Sequence, residues 1–275
     1  MAEHPISGAT RARGSSFYAA MRIMPRAQRE AMFEIYGFCR AVDDIADEPR
    51  PHEVRINQMQ RWRADIDAIY SGSPAPHTHG LARAARTFGL SREDFRAVID
   101  GMEMDVVSTI CAPDFATLDL YCDRVASAVG RLSVRVFQME KQAGLALAYH
   151  LGRALQLTNI LRDLYEDVAM GRLYLPKEAL LEANITTSEP IAVLSSPNIG
   201  SACAFVVALA ERHFVEAEAV MAHSPRWTVR TPRIMSAAYR LLLARMIARG
   251  WQAPRERVRL GRRQLIRILL QYAIV

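Results

Sequence analysis

The chain has 275 residues, 35 Lys+Arg against 29 Asp+Glu, a formal net charge of +6 and 51% hydrophobic residues. That apolar share offsets the entropy of ordering the chain and excludes intrinsic disorder; the length allows one large domain or two small ones. No run reaches the roughly 18 apolar residues that a spanning helix needs, and the start, Met1-Ala2-Glu3-His4-Pro5, lacks the basic-then-apolar pattern of a secretory signal.

Residues 26–47 place Ala27, Ala31, Ile35, Phe38 and Val42 three to four apart, the spacing of a helix with one apolar face. Pro49 and Pro51 end it. An amphipathic helix follows over about 53–70, closed by Ser71-Gly72-Ser73-Pro74, and residues 75–80, with His77 and His79, read as a loop. Ser91 is placed to cap a helix running from about 92 past Asp105, with Asp94 three residues on. Two long helical runs come next, about 114–140 and 142–170, and Gly171 suits the C-cap of the second. The polar stretch 183–200 reads as a surface loop, because helical patterning resumes over about 199–223 and 231–249. No alternation lasts long enough to build a sheet. The expectation is a single all-α domain over 1–275 with roughly eight to ten helices, a flexible 1–14 and a basic amphipathic tail at 255–275.

The four cysteines, Cys39, Cys111, Cys122 and Cys203, have neither C-x-x-C nor zinc-finger spacing and read as free thiols in a reducing cytoplasm. The positive charge is almost all arginine, with Lys141 and Lys177 the only lysines. No aromatic-interleaved basic strand, zinc-ligand set or helix-turn-helix accompanies it, so nucleic acid is not an expected partner. A phosphate-bearing substrate or an anionic membrane surface uses the same charge equally well.

Two carboxylate clusters stand out, Asp43-Asp44-Ile45-Ala46-Asp47 and Asp163-Leu164-Tyr165-Glu166-Asp167. On a helix, i and i+4 share a face, so Asp43 projects with Asp47 and Asp163 with Asp167. Paired carboxylates repel unless a cation lies between them, and Mg²⁺ completes its oxygen shell with water and substrate phosphate. Spacing alone is weak: about 0.6 such pairs are expected by chance, and a third occurs at Asp119 and Asp123, which reads as structural, with Asp123 placed to pair with an arginine. The neighbours add weight. Gln156, Asn159, Asp163 and Asp167 form one polar stripe among Leu155, Leu157, Ile160, Leu161 and Leu164. Tyr36, Arg40, Asp43 and Asp47 repeat the design on the earlier helix. A polar stripe in an apolar helix is a buried network or the lining of a cavity.

Three stretches resemble the squalene/phytoene synthases: Ser15-Ser16-Phe17-Tyr18 with Tyr36 to Asp47, then Tyr121 to Gly130, then Leu157 to Asp167 followed by Gly171-Arg172-Leu173-Tyr174-Leu175-Pro176. They occur in the family's order and span about 15–250. Ile99 to Asp105 and Tyr121 to Val134 resemble the bacterial presqualene diphosphate branch of hopanoid pathways. The resemblance implies an all-α isoprenoid synthase bundle around a central cavity. It implies head-to-head condensation of two farnesyl diphosphates to presqualene diphosphate, feeding squalene and hopanoid synthesis through separate squalene-forming enzymes. Mg²⁺, with Mn²⁺ as a substitute, would sit on Asp43, Asp47, Asp163 and Asp167; NADPH is not expected.

Arg40 and Arg162 would help neutralise the leaving diphosphate. Ser16, Phe17, Tyr36, Gln156 and Asn159 match substrate-binding positions. Tyr121 matches a tyrosine near the diphosphate, suited to proton handling or cation stabilisation. Tyr239 resembles a late site tyrosine, although Ala238 precedes it where many relatives carry arginine. Asp44 and Glu166 fall off the shared faces. The tail, with Arg255, Arg257, Arg259, Arg262, Arg263 and Arg267 among apolar residues, fits a bilayer surface or a terminal helix packed on the bundle equally well. The expected location is cytoplasmic, with peripheral contact on the inner face of the plasma membrane. Same-family alternatives are a full squalene, dehydrosqualene or phytoene synthase; an alternative of another class is a non-catalytic helical assembly factor, which would be expected to lose carboxylates.

Overall fold

The structure, a computed structural model, describes residues 20–252 and 256–273; the expected flexible start, Ser16 and Phe17 lie outside them. Helix α1 (Arg26–Asp47) buries Ala31, Met32, Ile35, Phe38, Val42, Ile45 and Ala46, the three-to-four spacing read from the sequence. Then come α2 (His52–Tyr70), α3 (His79–Phe88) and α4 (Arg92–Val107). The expected 75–80 loop is shorter than read: a 3₁₀ turn covers Pro76–Thr78 and α3 starts at His79. Ser91 does stand at the N-cap of α4, but its hydroxyl donates to Glu93 at 2.7 Å rather than accepting from a backbone N–H.

The expected 114–140 run is three pieces. Helix α5 (Phe115–Cys122) is capped by Asp114, which accepts from the Thr117 N–H at 2.8 Å. A π-helical segment over Asp123–Ser127 follows, then α6 (Ala128–Val136). Gln138, at φ 58°, ends the run, and Glu140 caps the next helix. The π segment lies against α7 (Lys141–Arg162), which crosses it at Gly152; a Cβ there would stand 2.7 Å from Ser127 Cα. Widened turns of this kind are frequent at functional sites.

The expected 142–170 run breaks at Asp163, whose φ/ψ of −98°/8° separates α7 from α8 (Leu164–Ala169). Gly171, at φ +78°, follows the end of α8, as a helix stop requires. The 183–200 stretch is mostly irregular, with α9 (Lys177–Glu182) before it and α10 (Pro190–Leu194) inside it. Helix α11 covers Ile199–Ala222. Helix α12 (Arg226–Arg249) starts five residues before the 231–249 read from the sequence and carries Pro232 inside it. The tail forms α13 (Arg262–Ala273), packed on α12 with Ile268 buried.

Helix α7 is the axis of the bundle: it packs on α5, the π segment, α6, α11 and α12, while α1 packs on α3, α4 and α6. One continuous apolar core runs through these helices. No strand occurs among the described residues apart from an isolated parallel bridge, Cys111 to Leu173. It matters for the site. Leu173 N–H donates to Ile110 and its carbonyl accepts from Ala112, fixing the segment that carries Arg172 and Tyr174.

Candidate active site

Helix α1 turns Tyr36, Arg40, Asp43 and Asp47 to one side, and α7 with α8 turns Gln156, Asn159, Asp163 and Asp167 to meet them. Both rows, with Arg162, Tyr121 and Tyr239, line one cavity of about 860 Å³. Every sequence-named site residue within the described stretches is on its wall. A second, largely apolar cavity of about 250 Å³ is lined by Met32, Ile35, Val129, Leu147, Leu151 and Met235, and shares Tyr36, Val125, Gln156, Asn159 and Tyr239 with the first. A polar chamber thus continues into an apolar one through a collar of shared residues.

The chamber holds more negative charge than its own arginines relieve. Burial and the Asp47 charge push Asp43 up to about 6, against the pull of Arg40, whose guanidinium donates to it at 2.6 Å. Burial and the Asp163 charge push Asp167 up to about 7, with Arg172 opposing. Asp47 takes Arg172 at 2.7 Å. Asp163 takes Arg162 at 2.5 Å and, from the tail, Arg257 at 2.6 Å.

Asn159 donates to Gln156 at 3.4 Å, while its Oδ1 is buried with no hydrogen-bond partner among the described residues. Crowded carboxylates and an orphaned carbonyl oxygen are the donor set of a hard cation. No group of three or more His, Cys, Asp or Glu among the described residues is close enough to hold a metal unaided. The residues therefore fit a cation that takes part of its shell from the phosphate oxygens of a ligand.

Sequence reasoning assigned no role to several residues found here. Asp105 on α4, buried, accepts from Tyr121 at 3.0 Å and Tyr174 at 2.7 Å. Arg172, buried, donates to Asp47 and to the Ala46 carbonyl. Both Asp105 and Arg172 stood inside quoted motifs, but Asp105 has no carboxylate four residues away and Arg172 stands between Gly171 and Leu173, so no pair or stripe marks either. Glu166, placed off the shared face, lines the cavity and lies 3.9 Å from Arg257. The break at Asp163 turns α8 away from the ideal stripe. Asp44 binds Arg40 at 2.8 Å and does not line the chamber.

Tail residues Arg257, Val258, Arg259 and Leu260 also line the chamber, so part of the tail covers the site while α13 packs on the bundle. The third aspartate pair is spent on arginine, as its structural reading requires. Buried Arg153 grips Asp119 at 2.7 and 2.9 Å and reaches Asp123 at 3.2 Å, and Arg131 takes Asp123 at 3.1 Å.

The squalene/phytoene synthase family model matches residues 10–264. The chain is 58% identical over 262 residues to a presqualene diphosphate synthase of Rhodopseudomonas palustris, covering 95% of this chain and 94% of that one. It is 54% identical, with the same coverage, to a presqualene diphosphate synthase of Sinorhizobium fredii. Among solved structures, a dehydrosqualene synthase in complex with a ligand superposes with a TM-score of 0.84 at 20% identity, over 97% of this chain and 94% of that one, which identifies the all-α isoprenoid synthase fold. Two facing carboxylate rows, motifs in the family's order and these likenesses together show that the chain belongs to the squalene/phytoene synthase family.

Proposed function

We propose that the protein is a presqualene diphosphate synthase. It joins two farnesyl diphosphates head to head, releases one diphosphate, and supplies a cyclopropyl C30 diphosphate to squalene and hopanoid synthesis. The observation that carries the reading is the polar chamber with two facing aspartate rows opening into an apolar one. The relatives named for this activity, matched over 95% of the chain, support the branch within the family.

Bound Mg²⁺, or Mn²⁺ in its place, would neutralise diphosphate charge and so favour its departure. Asp43, Asp47, Asp163 and Asp167 would hold it, with Asn159 Oδ1 as a further oxygen. Arg40, Arg162 and Arg172 offer cationic donors to the phosphate oxygens. Gln156 and Asn159 mark the collar where the diphosphate end gives way to the hydrocarbon. Met32, Ile35, Leu147 and Leu151 exclude water from the prenyl chain. Tyr36, Tyr121 and Tyr239 present electron-rich faces to an allylic cation.

No helix among the described residues is long and apolar enough to cross a membrane. The exposed basic tail supports peripheral contact with the inner face of the plasma membrane.

The test is product analysis after incubation with farnesyl diphosphate and Mg²⁺, with and without NADPH. Presqualene diphosphate accumulating in both is the expected result. Squalene formed only with NADPH would make this a complete squalene synthase. No C30 product in either would overturn the reading.

A further inference from the structure

The chamber wall contains a buried group that the charge chemistry above does not use. Asp105 is 7% exposed, Tyr121 6% and Tyr174 4%. The carboxylate is shared between the phenols: Tyr121 donates to Oδ2 at 3.0 Å and Tyr174 to Oδ1 at 2.7 Å. The rings stack at 5.0 Å with planes 22° apart. All three residues line the chamber that also holds the two aspartate rows. Arg172, whose charge acts on Asp105, makes its close contacts with Asp47 and the Ala46 carbonyl. Each phenol donates to Asp105 at the shorter distance, the Tyr121 hydroxyl also lies 3.4 Å from the Tyr174 oxygen, and the Tyr121 oxygen keeps its lone pairs for accepting within the wall.

We propose that Asp105 is the positioning residue and proton sink of a relay, Tyr121–Asp105–Tyr174, that takes up the proton released when the two prenyl chains join. The proposal rests on the condensation argued above, whose balance is two farnesyl diphosphates to one presqualene diphosphate, one diphosphate and one proton. Diphosphate leaves with the carbon–oxygen bonding pair, and the double bond of the second chain attacks the allylic cation. A carbon–hydrogen bond then breaks, and its electron pair closes the cyclopropane. The proton passes to the Tyr121 oxygen while the proton of Tyr121 passes to Asp105 Oδ2. Tyr174 holds the other carboxylate oxygen and keeps Asp105 turned to Tyr121. Burial pushes the Tyr121 phenol well above 10, so it serves as an acceptor only by passing its own proton on in the same step. The carboxylate supplies that second acceptor, and burial makes it a better proton acceptor than an ordinary aspartate, against the pull of Tyr174, Arg172 and Tyr121.

The experiment measures diphosphate released and presqualene diphosphate formed in the same reaction, for wild type, Asp105→Asn and Tyr174→Phe, with melting curves for each. Wild type is expected to give one diphosphate per product. Asp105→Asn keeps the shape and removes the charge; kcat for product is expected to fall about a hundredfold with KM little changed. The diphosphate-to-product ratio should rise above one, because ionisation continues while the cation is captured by water as a prenyl alcohol. Tyr174→Phe, which keeps the stacked ring, should raise the ratio in the same direction by a smaller factor, and it decides the matter if Asp105→Asn does not fold. A ratio held at one in folded variants, whatever the loss of rate, overturns the relay. A wild type that forms no presqualene diphosphate defeats the proposed function instead, which separates the two failures.

Discussion

Asp43 and Asp167 show how the site sets function against stability. Their carboxyls are held at about 6 and about 7, above the ordinary aspartate value, so the folded state takes up protons that the unfolded chain does not. Folding is therefore favoured as pH falls from 7 towards 4 and penalised as it rises through 6 and 7. Asp167→Asn is expected to melt about 2–4 °C above wild type at pH 8, with the gap closing by pH 5. The same variant, and Asp43→Asn or Asp163→Asn, should lose measurable turnover while far-ultraviolet circular dichroism stays helical. Wild-type activity in Asp43→Asn or Asp163→Asn would remove the cation-site assignment. Adding Mg²⁺ with inorganic diphosphate should raise the wild-type melting temperature more at pH 8 than at pH 6. At this scale the sequence was legible where polar residues repeat at helical spacing, as at Tyr36, Arg40, Asp43 and Asp47. It was silent at Asp105, Arg172 and Arg257, because three-dimensional neighbours rather than chain neighbours give them partners.

Helices α1, α2, α4 and α11, bounded in the sequence by proline, glycine or serine, were readable to within a residue or two. The runs that failed as single helices, 114–140 and 142–170, break at sites where tertiary contact decides: the π segment against Gly152, and Asp163 at the cavity. Continuous apolar patterning hides such breaks, since each piece still buries one face. The first break is testable. Gly152→Ala puts a Cβ 2.7 Å from Ser127 Cα and 2.8 Å from its nitrogen, and backbone atoms cannot rotate aside. A loss of about 1–3 kcal/mol in urea unfolding is expected, with reduced turnover because the π segment carries Val125 into both cavities. The α7–α11 contact carries a pH dependence of the opposite sign to the aspartates. His213 Nδ1 lies 3.1 Å from His150 Nδ1, and burial, then His150, Arg153 and Arg212, push His213 down to about 4 while Asp119 opposes. The unfolded chain then binds the proton first, so stability falls as pH drops from 6.5 to 4. His213→Gln should flatten that part of the melting-temperature profile; an unchanged slope would mean the pair stays neutral for another reason.

Across the whole molecule, charge is segregated along the chain. Residues 226–275 hold twelve arginines and one acidic residue, Glu256, a net of +11, which leaves −5 on the first 225 residues. The all-α class was legible because helical periodicity persists from end to end, whereas the placement of the tail was not, since its apolar residues serve two surfaces at once. Leu265, Ile268, Leu269 and Tyr272 turn towards the bundle, and Leu260 and Leu265 line the chamber. Ile266 and Leu270, one turn apart and 55% and 59% exposed, face outward with Arg262, Arg263 and Arg267. An outward row of two large apolar side chains among three arginines matches the headgroup layer of an anionic bilayer, and it follows directly on the segment that covers the site. The protein should therefore co-sediment with phosphatidylglycerol vesicles and not with phosphatidylcholine vesicles, with binding lost at high salt. Each basic residue near such a surface contributes about 1 kcal/mol. Reversing three, in Arg262→Glu, Arg263→Glu and Arg267→Glu together, should lower the partition coefficient at least about a hundredfold, while turnover on detergent-dispersed substrate is kept. Equal binding to neutral vesicles would show an apolar contact without charge selection. Equal binding by the triple variant would place the membrane face elsewhere on the molecule.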